Sequence, residues 1–328
     1  MQMDAELVKK HIEESSQVVI MAHRNLDLDA LGSSLGVDYL CKALGKNACL
    51  LIEDTHHEVG VARSLSEMKR QKINLKVKTF DEIKEKIDEN TLLIVLDTHV
   101  PSLVQNELAL KIPKILVIDH HIVSEDNSIK SMYEYIGEDQ SSSVEIIIDL
   151  LKHLNIYIHP YIATVMLAGI FIDTNGFFSK TSYKTHDGAS YLYQCGAVLK
   201  ELQYLLKEDI EKYNDRQQII RDAKIVNNNF IIAIGNENNI YLKEDLAKIA
   251  DTMLLFNHIE ASFTIGKIDN ETIGISARSL GNVNAQKIME KLGGGGHLTD
   301  AATQLKGETL GSSHHKLENI IGKLKGGF

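Results

Sequence analysis

Four short apolar runs rich in strand-forming residues recur in the first half of the chain, at Gln17 to Ala22, Ala48 to Ile52, Leu92 to Leu96 and Ile115 to Ile118. Each ends at a polar cluster. Between them the spacing turns helical, as in Ala30, Leu31, Leu35, Leu40 and Leu44, after which Gly45 reads as a left-handed helix stop. This alternation predicts an α/β fold with a mostly parallel sheet and helices on both faces. Such sheets bind ligands beyond the carboxyl ends of their strands, so the residues at those ends carry the functional reading.

From Ser142 to Lys200 the pattern is mainly helical, with SSSVEIIIDLLKHLN, PYIATVMLAGIFIDT and HDGASYLYQCGAVLK as successive helices. A charged helical stretch, Leu205 to Val226, reads as a connector. Beyond it come a strand (Asn229 to Ile234), a helix (Leu242 to Leu255), two strands (Ala261 to Lys267 and Thr272 to Arg278) and a helix near Asn284 to Lys291. At roughly 100–200 residues per domain, the length suits two domains. The expected division is 1–200, a helical linker 201–227 and a smaller α/β domain 228–328, with the active site in the cleft between them.

The strand ends are chemically unusual. The first runs into His23-Arg-Asn-Leu-Asp27-Leu-Asp29, the third stops at Asp97, and the fourth stops at Asp119-His120-His121. Asp173 closes the apolar run MLAGIFIDTNG. A single Asp in such a place is as commonly a helix cap, and Asp27 and Asp29 each suit that role. The joint pattern is the signal. A mixed set of imidazoles and carboxylates suits Mn²⁺, and also Mg²⁺, Fe²⁺ or Co²⁺. Six such groups exceed the needs of one ion, whereas two ions about 3.5–4 Å apart would use them all and activate a water for phosphoryl displacement. Without cations, so many carboxylates in one place would repel one another.

These motifs resemble the DHH family of phosphoesterases, named for the triplet that stands here as Asp119-His120-His121. The resemblance implies one Mn²⁺-type ion on His23 and Asp27 and another on Asp29 and His120, with Asp97 bridging and Asp173 completing the set. It also implies that His121 lies beside the substrate phosphate, with Asp97 and His121 as the catalytic pair. Leu26 stands where the family usually has a Pro that stiffens the loop.

In the second half, Ser276-Ala277-Arg278-Ser279 ends a strand, and Gly293 to Gly296 followed by His297 succeed a helix. Consecutive glycines let backbone amides approach a phosphate, with a helix N-terminus expected behind them, and Arg278 can pair bidentately with phosphate. A glycine run alone is more often a connector. With the S-A-R-S strand and His297 it resembles the DHHA1 domain, which makes His121, Arg278, Ser279, Gly294, Gly295, Gly296 and His297 the expected substrate contacts.

Leu28, the stretch Asp97-Thr-His99-Val100-Pro101-Ser102 and the loop ending Leu298-Thr-Asp-Ala-Ala-Thr-Gln304 look like the C-terminal half of membrane-bound cyclic-di-AMP phosphodiesterases of the GGDEF-DHH-DHHA1 type. Val100 stands where those proteins commonly carry Arg. The resemblance implies manganese-dependent hydrolysis of cyclic di-AMP to pApA. The alternatives are a nanoRNase or pAp phosphatase acting on short linear dinucleotides such as pApA or pGpG, and, in another class, a non-catalytic nucleotide-binding module.

Charge leaves room for a small nucleotide ligand. With 45 Asp and Glu against 35 Lys and Arg, the net charge is −10, which argues against a long nucleic-acid groove. Cys41, Cys49 and Cys195 form no C-x-x-C pair, so a reducing, cytoplasmic setting fits best. No run approaches 18 apolar residues. The resemblance implies a membrane link through a region preceding Met1, at the cytoplasmic face. Oligomeric state is left open, with a homodimer admitted. His56-His57 and His314-His315 read as surface pairs, His153, His159 and His258 as surface or packing residues, Ser142 and Ser143 as helix caps, and His99 as a residue that orients a ligand.

Overall fold

The computed structural model describes residues 3–53, 57–122 and 127–323. The chain divides into two compact units, Met1–Lys207 and Glu208–Phe328. No helix among the described residues is long and apolar enough to cross a membrane.

The first unit opens with helix α1 (Ala5–Glu14) and strand β1 (Val18–Met21), then α2 (Leu28–Ala43), β2 (Ala48–Leu51), α3 (Val59–Arg70), β3 (Val77–Lys78), α4 (Phe80–Ile83), β4 (Leu92–Leu96), β5 (Lys114–Asp119) and β6 (Tyr133–Ile136). Four helices follow, α5 (Ser143–His153), α6 (Pro160–Asp173), α7 (Tyr183–Gln194) and α8 (Leu199–Leu205). All six strands are parallel, in the order β3-β2-β1-β4-β5-β6.

Parallel strands buried on both faces read as unbroken apolar runs, and β1 and β4 are buried at every position. Their side chains alternate between two cores. Val18, Ile20, Leu92, Ile94 and Leu96 join a large cluster with α2, α5 and α6, whereas Val19, Met21, Leu93 and Val95 pack with Ile83, Val104, Ala109 and Ile112. The second face is covered by α4 and short 3₁₀ turns at Pro101–Leu103 and Glu107–Lys111.

Glycines set the depth of the main helical layer. A Cβ on Gly169 of α6 would lie 2.9 Å from the Asp29 Cα and 2.9 Å from the Leu28 carbonyl oxygen, so only glycine lets α6 cross the first turn of α2 this closely. Asp173 stands one helical turn beyond Gly169 on the same face. Close crossing thus brings Asp173 to Asp29. Gly45 closes α2 with φ +71°, as its sequence position suggests. The single helix expected from His186 to Lys200 is broken at Gly196 (φ +93°) into α7 and α8.

The second unit holds α9 (Ile210–Arg221), β7 (Lys224–Val226), β8 (Phe230–Ile234), α10 (Lys243–Met253), β9 (Ala261–Lys267), β10 (Thr272–Ser279), α11 (Ala285–Glu290), β11 (Gly295–Gly296), β12 (Asp300–Lys306) and α12 (Leu310–Gly322). The sheet order is β11-β12-β10-β9-β8-β7, antiparallel except for the β8/β9 pair. The stretch expected as a linker splits between the units. Leu202 and Leu205 of α8 are buried in the core of the first, whereas Ile219 of α9 packs with Ile231, Leu246 and Ile249 of the second.

Candidate metal centre

In the first sheet the strand order reverses at β1, which lies between β2 and β4. Such a switch point leaves a crevice beyond the strand ends. His23 and Asp27 follow β1, Asp97 follows β4, and Asp119 ends β5 with His120 and His121 behind it.

The approach to α2 is held without the proline that Leu26 replaces. Arg24 N donates to the Leu103 carbonyl at 2.7 Å, and Gln105 Nε2 donates to the His23 carbonyl at 2.8 Å. Leu26 itself is buried. Asp27 is the N-cap of α2, its Oδ1 accepting from Ala30 N at 2.9 Å, while its Oδ2 lies 3.6 Å from His23 Nε2. The capping role and a ligand role are compatible because they use different oxygens.

Asp29 is completely buried and accepts from Ser143 N (2.8 Å) and Val144 N (2.9 Å), the open amides at the start of α5. A carboxylate is favoured at such a helix start. Ser142 caps α5 by accepting from Glu145 N at 3.1 Å. Ser143 does something the sequence did not announce. Its hydroxyl donates to Asp97 Oδ1 at 3.0 Å.

Asp97 takes a left-handed backbone, φ +59°, immediately after β4. For a residue other than glycine that conformation costs about 1–2 kcal/mol and persists where the surroundings enforce it. It turns the carboxylate into the crevice, where Oδ2 lies 3.3 Å from His23 Nε2 and Oδ1 lies 3.4 Å from His120 Nε2. Asp173 Oδ2 is also 3.4 Å from His120 Nε2. Ligand atoms within 4.8 Å of one another are thus offered by His23, Asp27 and Asp97, by Asp29, His120 and Asp173, and by Asp97, His120 and His121.

The electrostatics are those of a site short of positive charge. Burial, then the charges of Asp97 and Asp27, push Asp29 well above the usual carboxylate range, and burial together with Asp29, Asp27 and Asp97 does the same to Asp173. Burial also works against ionised Asp97, but the His120 and His23 imidazoles outweigh it and hold Asp97 far below that range. Burial disfavours a charged His23, yet Asp27 and Asp97 lift it to about 10. His120 Nε2 is buried with no hydrogen-bond partner among the described residues, although two carboxylates flank it at 3.4 Å. An unpartnered imidazole nitrogen among buried carboxylates is the donor set of a divalent-ion site. The residues fit metal.

Residues 17–170 match the DHH family, N-terminal domain, and residues 227–325 match the DHHA1 domain. The chain belongs to the DHH family. It is 40% identical over 319 residues to the cyclic-di-AMP phosphodiesterase GdpP of Geobacillus thermodenitrificans, covering 96% of this chain and 48% of that one. It is 38% identical over 321 residues to the cyclic-di-AMP phosphodiesterase PdeA of Listeria monocytogenes, covering 97% and 49%. The chain therefore spans about half the length of these curated relatives. An exopolyphosphatase-related protein from Bacteroides fragilis shares the fold, with a TM-score of 0.78 at 20% identity over 97% of this chain and 95% of that one.

Within the DHH domain, the Asp of the naming triplet orients its neighbours and belongs to none of the three trios. Asp119 is fully buried, and its Oδ1 accepts from His120 N (2.7 Å) and meets His121 Nδ1 at 2.8 Å. Its Oδ2 meets His99 Nδ1 at 2.6 Å. His99 thus steadies the support of His121, whose half-exposed ring is hydrogen-bonded, among the described residues, through Nδ1.

In the DHHA1 domain, the expected helix behind the glycines is replaced by strand β12, antiparallel to β10. The glycines serve that pairing. A Cβ on Gly294 would lie 2.2 Å from the Ala302 carbonyl oxygen, and one on Gly296 would lie 2.4 Å from that of Asp300. Arg278 Nε is held by Asp251 (2.8 Å) and Asp300 (3.1 Å), and one terminal nitrogen donates to Ser276 Oγ and the Ala277 carbonyl. Ser279 Oγ donates to the Val283 carbonyl at 2.7 Å. Gly295 pairs with Ala302 in the short β11 ladder, and His297 is exposed, its amide bonded to the Asp300 carbonyl.

The remaining histidines are mixed. His159 caps α6 through its ring, and His153 lies 3.7 Å from exposed Glu6. His314 and His315 share Glu318 on α12, at 3.4 and 3.8 Å. His56 lies outside the described residues.

Proposed function

We propose that this chain is a phosphodiesterase that hydrolyses cyclic di-AMP to linear pApA with two divalent ions, manganese foremost. The observation that carries the reading is the division of Asp97, one oxygen toward His23 and the other toward His120. His23 and Asp27 would hold one ion, and Asp29, His120 and Asp173 the other, with Asp97 shared. When bound, such a pair supplies a water of lowered pKa and charge stabilisation for phosphoryl oxygens.

The protein's own groups then do three things. Ser143 fixes Asp97 through its hydroxyl. Asp119 holds His121 Nδ1, so that Nε2 is presented to protonate the departing 3′ oxygen. In the DHHA1 domain, His297 and Arg278 are the proposed contacts to the distal nucleotide, with Ser279 and Gly294 to Gly296 shaping the turn that carries them. Attachment to the cytoplasmic face of a membrane through a region outside this chain, and a homodimer, belong to the same proposal.

The test is product analysis with Mn²⁺ on cyclic di-AMP, pApA, pGpG and pAp. The expected result is fastest turnover of cyclic di-AMP to pApA. Rapid cleavage of linear dinucleotides with cyclic di-AMP left intact would move the chain to the nanoRNase class, and binding without turnover would make it a nucleotide-binding module.

A further inference from the structure

The segment Thr174 to Ser182, between α6 and α7, carries an unusual density of left-handed backbone. Asn175 (φ +48°), Gly176 (φ +71°) and Phe177 (φ +68°) are consecutive, and Lys180 (φ +52°) follows. Glycine adopts this conformation freely and Asn tolerates it, but Phe and Lys are strained by it. The segment is held in place from several sides. Thr174 Oγ accepts from Phe177 N at 3.0 Å, the Thr174 carbonyl accepts from Ser179 N at 2.9 Å, and Ser182 caps α7 by accepting from Lys184 N at 3.1 Å. The Phe177 ring stacks on His186 (centroids 5.4 Å, planes 21° apart) and meets Phe171 edge-on at 6.0 Å.

Phe177 is thus the anchor, and its neighbour is open to solvent. Phe178 is 77% exposed. Asp173 is the last residue of α6 and Thr174 its C-cap, so the segment begins directly at the candidate centre, and Phe178 follows Asp173 by five residues. Strain that the surroundings enforce at such a place is typical of ligand clamps.

We propose that Phe178 is a specificity-determining residue that stacks on a nucleobase of the substrate, with Lys180 beside it meeting the adjoining phosphate. This rests on the dinucleotide reading above. An exposed ring on a fixed backbone suits the role because every base offers a π face and little entropy is lost on contact.

The experiment compares the whole chain with F178A and F178W, in Mn²⁺, on an adenine dinucleotide and on its abasic analogue, which keeps the sugars and phosphate. The preference for the adenine substrate is expected to fall about tenfold or more in F178A, mainly through KM, and to persist in F178W. Equal melting temperatures are expected, since the side chain is exposed. A preference in F178A within about twofold of the starting protein overturns the proposal, as does a loss shared by F178W. An F178A chain that changes oligomeric mass while keeping its preference would mark the ring as a contact between copies, again overturning it. A starting protein with no preference for the adenine substrate would instead overturn the dinucleotide reading itself, and the stacking role with it.

Discussion

The Ser143 hydroxyl donates to Asp97 Oδ1 across 46 residues of sequence, tying the first turn of α5 to the carboxylate that stands between His23 and His120. S143A should bind Mn²⁺ about 10–100-fold more weakly, as is common when a residue orienting a ligand is lost. Its folded stability should fall by about 1 kcal/mol. Calorimetric metal titration and urea unfolding of the same preparation check the two figures, and unchanged metal affinity would remove Ser143 from the site.

Gly169 governs how closely α6 approaches Asp29. G169A should cost about 1–3 kcal/mol through overpacking against backbone atoms that cannot yield. Because Asp173 rides on the same face of α6, metal affinity should fall as well. A variant that melts lower but binds metal normally would show that the crossing matters for packing alone.

His121 is held by Asp119 and is the proposed proton donor. H121A should keep its metal content while kcat falls by about 10²–10⁴-fold. H99F, which removes the second support of Asp119, should give a smaller loss of kcat with KM nearly unchanged. Metal analysis beside steady-state kinetics separates this outcome from simple loss of ions.

Metal-free protein should weaken as pH rises. His23 has its ordinary value of 6.5 raised to about 10 by Asp27 and Asp97 against the effect of burial, so its contribution is fully present below about 6.5 and lost as pH rises through about 10. Asp29 and Asp173, raised by burial and by neighbouring acids, act in the same direction, since their ionisation is what the fold resists. Added Mn²⁺ replaces the missing positive charge. The gain in melting temperature on adding Mn²⁺ to chelator-treated protein should therefore grow between about pH 6.5 and pH 9, and a gain that stays flat would contradict the charge argument.

Much of this was legible in the sequence because the relevant residues cling to elements with strong local signals. Asp97 follows the unbroken run Leu92 to Leu96, and His23, Asp27 and Asp119 stand within a few residues of other apolar strands. The relationships that escaped are long-range. Ser143 reads as a cap because nothing local points to Asp97, and Arg278 reads as a free phosphate ligand because Asp251 and Asp300 come from other elements. Strand β12 was hidden by composition. D-A-A-T-Q-L-K has little strand preference of its own and forms by pairing with β10, which is why the glycines before it looked like the lip of a helix.

The central claim is that two ions share Asp97. Counting Mn²⁺ bound per chain by equilibrium titration, in the starting protein and in D97N, tests it most directly. Two ions per chain are expected in the former, with weakened binding of both and loss of cyclic di-AMP turnover in D97N. A single ion per chain, or a D97N protein that keeps both ions and its turnover, would contradict it.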